Sequence, residues 1–229
     1  MHHDVSAGDA ARLATLRRIA ALPPLLQGLA RRGVVRRFAK GVLLIREGER
    51  DDTIYIVLEG RVRVRAEGER GRELTYGIYG PGEYLGELSL DGGPRSADVV
   101  TLEACECAIV TRQSVLGHIA EHPEFALELL SNVIRRVRSV TSSARQFALN
   151  DVYGRLLHLI QTTAKPHPQA NAGGPLLTIE ERLTHRELAN RLGCSREMVT
   201  RLLKDLEGGD YLRLDPERLL VLRTLPSRW

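Results

Sequence analysis

The chain has 229 residues, 43% hydrophobic and 27% charged, a balance that fits one large or two ordinary soluble globular domains. No run of 18 apolar residues occurs and no basic segment followed by an apolar core opens the sequence, so neither a membrane span nor a secretory leader is expected. Cys105, Cys107 and Cys194 are too few for a disulfide framework, which fits a reducing cytoplasm, and a net charge of +4 permits a nucleic-acid partner without requiring one.

Residues 1–33 are helix-prone and basic, and Pro23 and Pro24 interrupt them. They predict a short helix around Ala10–Ala21 and one further turn after the prolines. From Val34 the character changes, and eleven of the 21 glycines fall between Gly41 and Gly93. Strand-like runs lie at Val42–Ile45, Ile54–Leu58, Arg61–Arg65, Leu74–Tyr79 and Cys105–Val110. Glu59-Gly60 and the Glu67–Gly71 stretch read as hairpin turns, and short strands at such spacing suggest a small antiparallel roll or barrel.

After Pro123 the period becomes helical. Ala126, Leu130, Val133, Val137, Val140, Ala144 and Phe147 follow one another at steps of four and three, an a/d seam of three heptads. Flanked by Arg135, Arg136, Arg138 and Arg145, this narrow seam suits a two-stranded parallel coiled coil better than a helix packed on its own domain. Asn150-Asp151 can cap a further helix, Val152–Ala164, with Tyr153, Leu156, Leu157 and Ile160 as its apolar face; Lys165–Pro175 reads as a loop.

The stretch Leu183–Leu206 reads as a helix-turn-helix. Leu188, Ala189 and Leu192 are the buried face of its first helix, and Gly193 supplies the turn. Cys194 suits a small apolar slot and Ser195 an N-cap. Val199, Leu202, Leu203 and Leu206 form the core stripe of the second helix. Its opposite face collects Arg196, Glu197, Thr200, Arg201 and Lys204. Arginine can fork onto guanine and glutamate can accept from cytosine, so this face suits the major groove; a surface helix laced with salt bridges is the plainer alternative. Tyr211–Leu214, the Asp215-Pro216 turn and Leu219–Leu222 predict a hairpin wing.

A second constellation runs from Gly82 to Leu90 and on to Pro94-Arg95-Ser96-Ala97. A cyclic nucleotide presents one phosphodiester charge and a ribose hydroxyl, and its recognition wants a cation, backbone N–H groups and an acceptor. Gly86 allows close backbone approach, and Leu85–Leu90 can turn as a short helix whose N-terminus favours an anion. Arg95 supplies the counter-charge, Ser96 a donor and Glu87 the acceptor.

The segment G-C-S-R-E-M-V-T-R, with Thr184 and Glu187 before it, resembles the recognition segment of the cyclic-AMP receptor protein (catabolite activator) superfamily, which includes the fumarate–nitrate regulators. The Lys40–Gly60 run is similar to the first half of that family's nucleotide-binding roll, and G-E-L with R-S-A to its phosphate cassette. The resemblance implies an α+β fold: a cyclic-nucleotide-binding β-roll over 1–121, a long dimerisation helix over 122–149 and a winged helix-turn-helix over 150–229. It implies cyclic AMP as effector, bound at Gly86, Glu87, Leu88, Arg95 and Ser96, with Thr141 and Ser142 toward the base. It implies a homodimer along Leu130, Val133, Val137, Val140, Ala144 and Phe147. It implies, too, a double-stranded operator met by Thr184, Ser195, Arg196, Glu197, Thr200, Arg201 and Lys204, and RNA polymerase as a partner. Arg196, Glu197 and Arg201 match the positions that read a TGTGA half-site, while Thr200 departs from the activator's glycine. Two departures concern the pocket: only four residues separate Leu90 from Arg95, and, counted without a gap, Val140 stands where the first base-contacting Thr/Ser would be.

Other chemistries find less support. His118 and His122 have ligand spacing but no third ligand, and the cysteines expected of an iron–sulfur relative are missing from residues 1–33. Ser114 and His118 lack the third partner of a nucleophile–base set, so no enzyme is expected. The remaining alternatives are a relative answering to another ligand or none, and a nucleotide-binding regulatory subunit that does not touch DNA.

Overall fold

The computed structural model describes residues 3–68, 72–170 and 174–228. The chain divides into two compact units, one of residues 1–66 and 75–137, the other of 67–74 and 138–229.

The first unit begins with α1 (His3–Ala20), longer than the helix expected, and α2 (Pro24–Ala30), where Pro24 fits because the first turn has no intrahelical use for its missing N–H. Eight strands come next: β1 (Val34–Phe38), β2 (Leu43–Ile45), β3 (Ile54–Glu59), β4 (Val62–Glu67), β5 (Glu73–Tyr79), β6 (Tyr84–Leu85), β7 (Asp98–Thr101) and β8 (Cys105–Val110). They form two four-stranded sheets, ordered β1-β8-β3-β6 and β2-β7-β4-β5. The expected roll is present. The expected Glu59-Gly60 hairpin is not, because β3 and β4 belong to different sheets. Both edges of β3 are taken by β8 and β6, so the chain crosses to the second sheet after Gly60. The other expected hairpin turn, Glu67–Gly71, falls partly on residues 69–71, outside the described ones.

β3 is buried on both faces, which explains its unbroken I-Y-I-V-L run. Ile54, Ile56 and Leu58 pack with Leu26, Leu29, Val115 and Phe125, whereas Val57 joins Ile45, Val62, Leu85 and Val99 in a second cluster. Cys105 and Cys107 face that second cluster, inward as the alternation of β8 requires; burial pushes the Cys107 thiol up to about 12, so it stays protonated. Glu106, between them, is also buried. It ion-pairs with Arg18 of α1 at 2.8 Å and accepts from the Thr15 hydroxyl, tying α1 to the roll.

α3 (Arg112–Glu121) is capped by Thr111, and α4 (Glu124–Leu149) succeeds it. Only Phe125 of α4 is buried. Leu130, Val137 and Val140 are each more than half exposed, so a regular apolar stripe faces outward from this chain.

In the second unit Asp151 caps α5 (Val152–Thr163), accepting from the Gly154 N–H at 2.7 Å. Lys165–Pro175 is not wholly a loop: β9 (Lys165–Pro166) pairs with β10 (Leu177–Ile179), at the open edge of the sheet where a proline lacking its N–H is tolerated. Residues 171–173 of that stretch lie outside the described ones. α6 (His185–Leu192), α7 (Arg196–Gly208), β11 (Leu212–Leu214) and β12 (Leu219–Val221) complete a winged helix-turn-helix with sheet order β11-β12-β10-β9. Its core joins Leu156 and Ile160 of α5 to Leu188, Leu192, Val199, Leu203, Leu206 and Leu219. Among the described residues no helix is long and apolar enough to cross a membrane.

Candidate functional site

The cassette starts where β6 ends. Gly86 adopts φ +91°, and a Cβ there would stand 2.4 Å from the Arg95 guanidinium and 2.7 Å from the Thr53 carbonyl oxygen, so only glycine fits. The chain then makes a single 3₁₀ turn, Glu87–Ser89, not the longer helix expected over Leu85–Leu90. The turn aims Glu87 and Ser89 inward and leaves Leu88 46% exposed. Ser96 is exposed as well.

Arg95 is 4% exposed and is held from four sides. Its Nη1 donates to the Gly86 carbonyl at 3.0 Å and the Ser89 hydroxyl at 2.7 Å. Its Nη2 donates to the Thr53 carbonyl at 2.8 Å and the Thr53 hydroxyl at 3.1 Å, and stands 3.0 Å from an Asp51 carboxylate oxygen.

Glu87, 5% exposed, faces Arg136 of α4. Arg136 Nη1 donates to Glu87 Oε1 at 2.5 Å, Nη2 donates to the Tyr84 carbonyl at 2.5 Å, and the guanidinium lies 4.8 Å from the centre of the Tyr79 ring. Glu87 Oε2 is buried without a hydrogen-bond partner among the described residues. Burial raises the Glu87 carboxyl above its ordinary value, and Arg136 only partly offsets this. Thr141 and Ser142 are exposed on α4, in the second unit.

Sequence reasoning missed Asp51, Thr53 and Ser89 as partners of Arg95, and took Arg136 for a solvated flank of the helical seam. Ser89 lies within the stretch already singled out, six positions before Arg95, but no local signal marks the other three. Asp51 and Thr53 lie more than 40 positions before Arg95, and Arg136 lies 49 positions after Glu87.

The helix-turn-helix is built largely as its residues imply. Thr184 caps α6 in a reciprocal box with Glu187, with N···O distances of 3.1 and 2.8 Å. Gly193 turns the chain at φ +61°, and Ser195 caps α7 by accepting from the Met198 N–H at 3.2 Å. Arg196, Glu197, Thr200, Arg201 and Lys204 are all exposed on the face opposite the buried stripe. The Thr200 hydroxyl donates to the Arg196 carbonyl at 2.9 Å and lies 2.8 Å from His185 Nδ1, so its single proton is already used within the motif and it meets a further partner only as an acceptor. Phe147, expected at the end of the helical seam, is partly claimed by its own unit. A Cβ at Gly193 would stand 2.5 Å from its ring, and Arg155 lies 5.2 Å from the ring centre.

A β-roll with a buried Arg–Glu cassette, a long helix and a winged helix-turn-helix define the class: ligand-responsive bacterial transcription regulators. Residues 35–122 match the cyclic nucleotide-binding domain family, and residues 182–208 match the bacterial regulatory proteins of the crp family. The CRP-like cAMP-activated global transcriptional regulator of Mycobacterium tuberculosis is 30% identical over 185 residues, 80% of this chain and 82% of that one. The cAMP-activated global transcriptional regulator CRP of Salmonella typhimurium is 29% identical over 83% of this chain and 90% of its own. Among solved structures, the c-di-GMP responsive global regulator CLP of Xanthomonas campestris matches with a TM-score of 0.74 and 26% identity, covering 87% of this chain and 99% of that one. The chain belongs to the CRP family of bacterial transcription regulators.

Proposed function

We propose that this chain is a cytoplasmic, homodimeric transcription regulator that binds cyclic AMP in its roll and reads an inverted-repeat operator with α7. The observation that carries the reading is the buried, unpartnered Glu87 Oε2 close to a buried arginine on a glycine-backed turn. A lone acceptor held out of water suits a ribose hydroxyl, and a forked cation suits a cyclic phosphate. Gly86, Glu87, Leu88, Arg95 and Ser96 form the nucleotide site, with Thr141 and Ser142 serving the base. The domains run 1–121, 122–149 and 150–229, and the stripe of Leu130, half-buried Val133, Val137, Val140 and Ala144, with Phe147 at its end, closes the dimer. Arg196, Glu197 and Arg201 read a TGTGA-like half-site, Thr200 presents mainly its methyl, and Thr184, Ser195 and Lys204 lie toward the phosphates. Two-fold symmetry sets the halves about one DNA turn, ~34 Å, apart. RNA polymerase is the downstream partner, and the chain is assigned no catalytic role.

Binding-site selection with and without cyclic AMP tests the reading. A TGTGA-like inverted repeat is expected to be enriched with the nucleotide present and much less without it. Equal enrichment in both arms would remove cyclic AMP from the proposal while leaving the operator. Val137→Glu, which sets two carboxylates against each other across the seam, is expected to give monomers by sedimentation.

A second reading keeps the regulator and changes the ligand. It is favoured by Val140 at the first base-contacting position and by the internal bonds Arg95 already makes. Calorimetry with a panel of cyclic mono- and dinucleotides separates the two.

A further inference from the structure

We propose that Asp51 is an internal anion competing with the effector's phosphate for Arg95, and that it sets how much effector the cassette needs. The inference rests on the reading of the cassette as a cyclic-nucleotide site. It starts from an inventory of the arginine's bonds. Four of the five groups that Arg95 Nη1 and Nη2 address are neutral: the Gly86 and Thr53 carbonyls and the Ser89 and Thr53 hydroxyls. The fifth, at 3.0 Å, is the Asp51 carboxylate, which carries the same single negative charge as a phosphodiester.

Position and mobility favour exchange. The Arg95 side chain is 3% exposed and pinned by its neutral partners, whereas that of Asp51 is 44% exposed. The carboxylate therefore has water at hand to replace its bond to Arg95, while the arginine stays in place. Asp51 and Ser89, both bonded to Arg95, line one open cavity with Arg50, Asp52, Gly92 and Gly93. An anion arriving there meets the carboxylate before it can use the guanidinium fork.

The carboxylate is also pre-set. The Thr53 N–H donates to Asp51 Oδ1 at 3.1 Å and the Thr53 hydroxyl to Oδ2 at 2.8 Å, so a short local loop holds it against Arg95. Burial works against its ionisation, but the bonds from Thr53 and Arg95 outweigh that and keep the group charged well below neutral pH. A phosphate and Asp51 compete for Nη2, because two like charges sharing one cation in a half-buried site repel each other. Effector binding then becomes the replacement of one charge-assisted pair by another, which leaves little net gain per phosphate.

The test is calorimetric titration of the full-length dimer with cyclic AMP, comparing the parent with Asp51→Asn, Arg95→Gln and the double variant. Asparagine keeps an acceptor for the Thr53 N–H, removes the charge and turns the oxygen that faces Arg95 and the Thr53 hydroxyl into an amide donor. Asp51→Asn is expected to bind at least tenfold more tightly than the parent, with Asp51→Ala moving the same way. The gain must vanish in the Arg95→Gln background, which a merely structural role of Asp51 would not produce. Affinity of Asp51→Asn at or below the parent's, including no detectable binding by either, overturns the proposal. If Arg95→Gln binds as the parent does, the cassette reading itself fails, and that outcome is distinct from a failure of Asp51 alone. Melting curves without nucleotide confirm that each variant is folded.

Discussion

The cassette and the exposed polar face of α7 both depend on arginine and glutamate, yet they handle these residues in opposite ways. In the cassette Arg95 and Glu87 are almost fully buried, and each is held by a partner from a distant segment. On α7, Arg196, Glu197 and Arg201 are exposed, and their backbone is fixed by caps and a core stripe beneath them. Burying a charge makes its removal expensive and its exchange selective, because a leaving partner must be replaced in kind. An exposed charge contributes little to stability and stays available to a large polyanion, whose bases sort the contact. One region holds its charged groups in buried pairs; the other presents donors and an acceptor to solvent.

The largest expected effect breaks the cassette side of this contrast. Arg95→Leu strips Asp51, Ser89 and Thr53 of their shared donor. Because Asp51 can rehydrate, the loss should lie near the low end for a broken buried pair, ~3 kcal/mol, read by urea unfolding. Arg201→Ala should leave unfolding unchanged within ~0.5 kcal/mol. It should instead cost ~1–3 kcal/mol at one base pair of the selected site and relax preference there. A substitution of Arg201 that unfolded the protein, or of Arg95 that did not destabilise it, would erase the distinction.

A smaller effect sharpens it. Ser195 is expected both to cap α7 and to lie at the DNA, and its hydroxyl accepts from the Met198 N–H. Ser195→Ala should cost ~1 kcal/mol of stability through the cap. In binding it should weaken all operators alike, a loss of positioning, whereas Arg201→Ala changes which operator is chosen. Competition assays over a panel of half-site variants distinguish the two patterns.

The same contrast explains what was legible in the sequence. Residues 183–206 specify their own structure, since caps, turn glycine and apolar stripe all lie within a few residues of one another. The exposed polar face of α7 could therefore be named residue by residue. The cassette was legible only where it is local, at Gly86, Glu87 and Arg95. Its other half comes from Asp51 and Thr53 ahead of β3 and from Arg136 on α4, and no periodicity links positions so far apart. The short strands β1, β6, β7, β9 and β10 were missed for a related reason. Two to five residues carry little periodic signal of their own, and what makes these strands is the neighbour they pair with. The Glu59-Gly60 turn misled because glycine marks a change of direction without saying which strand comes next.

The smallest effect concerns protons and sets one glutamate from each region side by side. Burial raises the Glu87 carboxyl above the ordinary 4.5, with Arg136 pulling the other way and losing. Glu197 sits in the first turn of α7, where its own backbone N–H and the Ser195 hydroxyl hold its carboxyl below 4.5. The two signs differ. For Glu87 the unfolded chain releases its proton first as pH rises, so its share of stability is complete below pH 4.5 and is lost as pH climbs through the folded value. For Glu197 the share is present above pH 4.5 and is lost as pH falls through the folded value. Carboxyl chemical shifts followed by NMR should therefore show Glu87 protonating before Glu197 on acidification. Glu87→Gln should flatten the decline in stability on the rising-pH side, and Glu197→Gln should soften only the acid limb. Titration in the reverse order would mean that Arg136 controls Glu87 more strongly than burial does, and the cassette would then be a closed ion pair with no acceptor held in reserve.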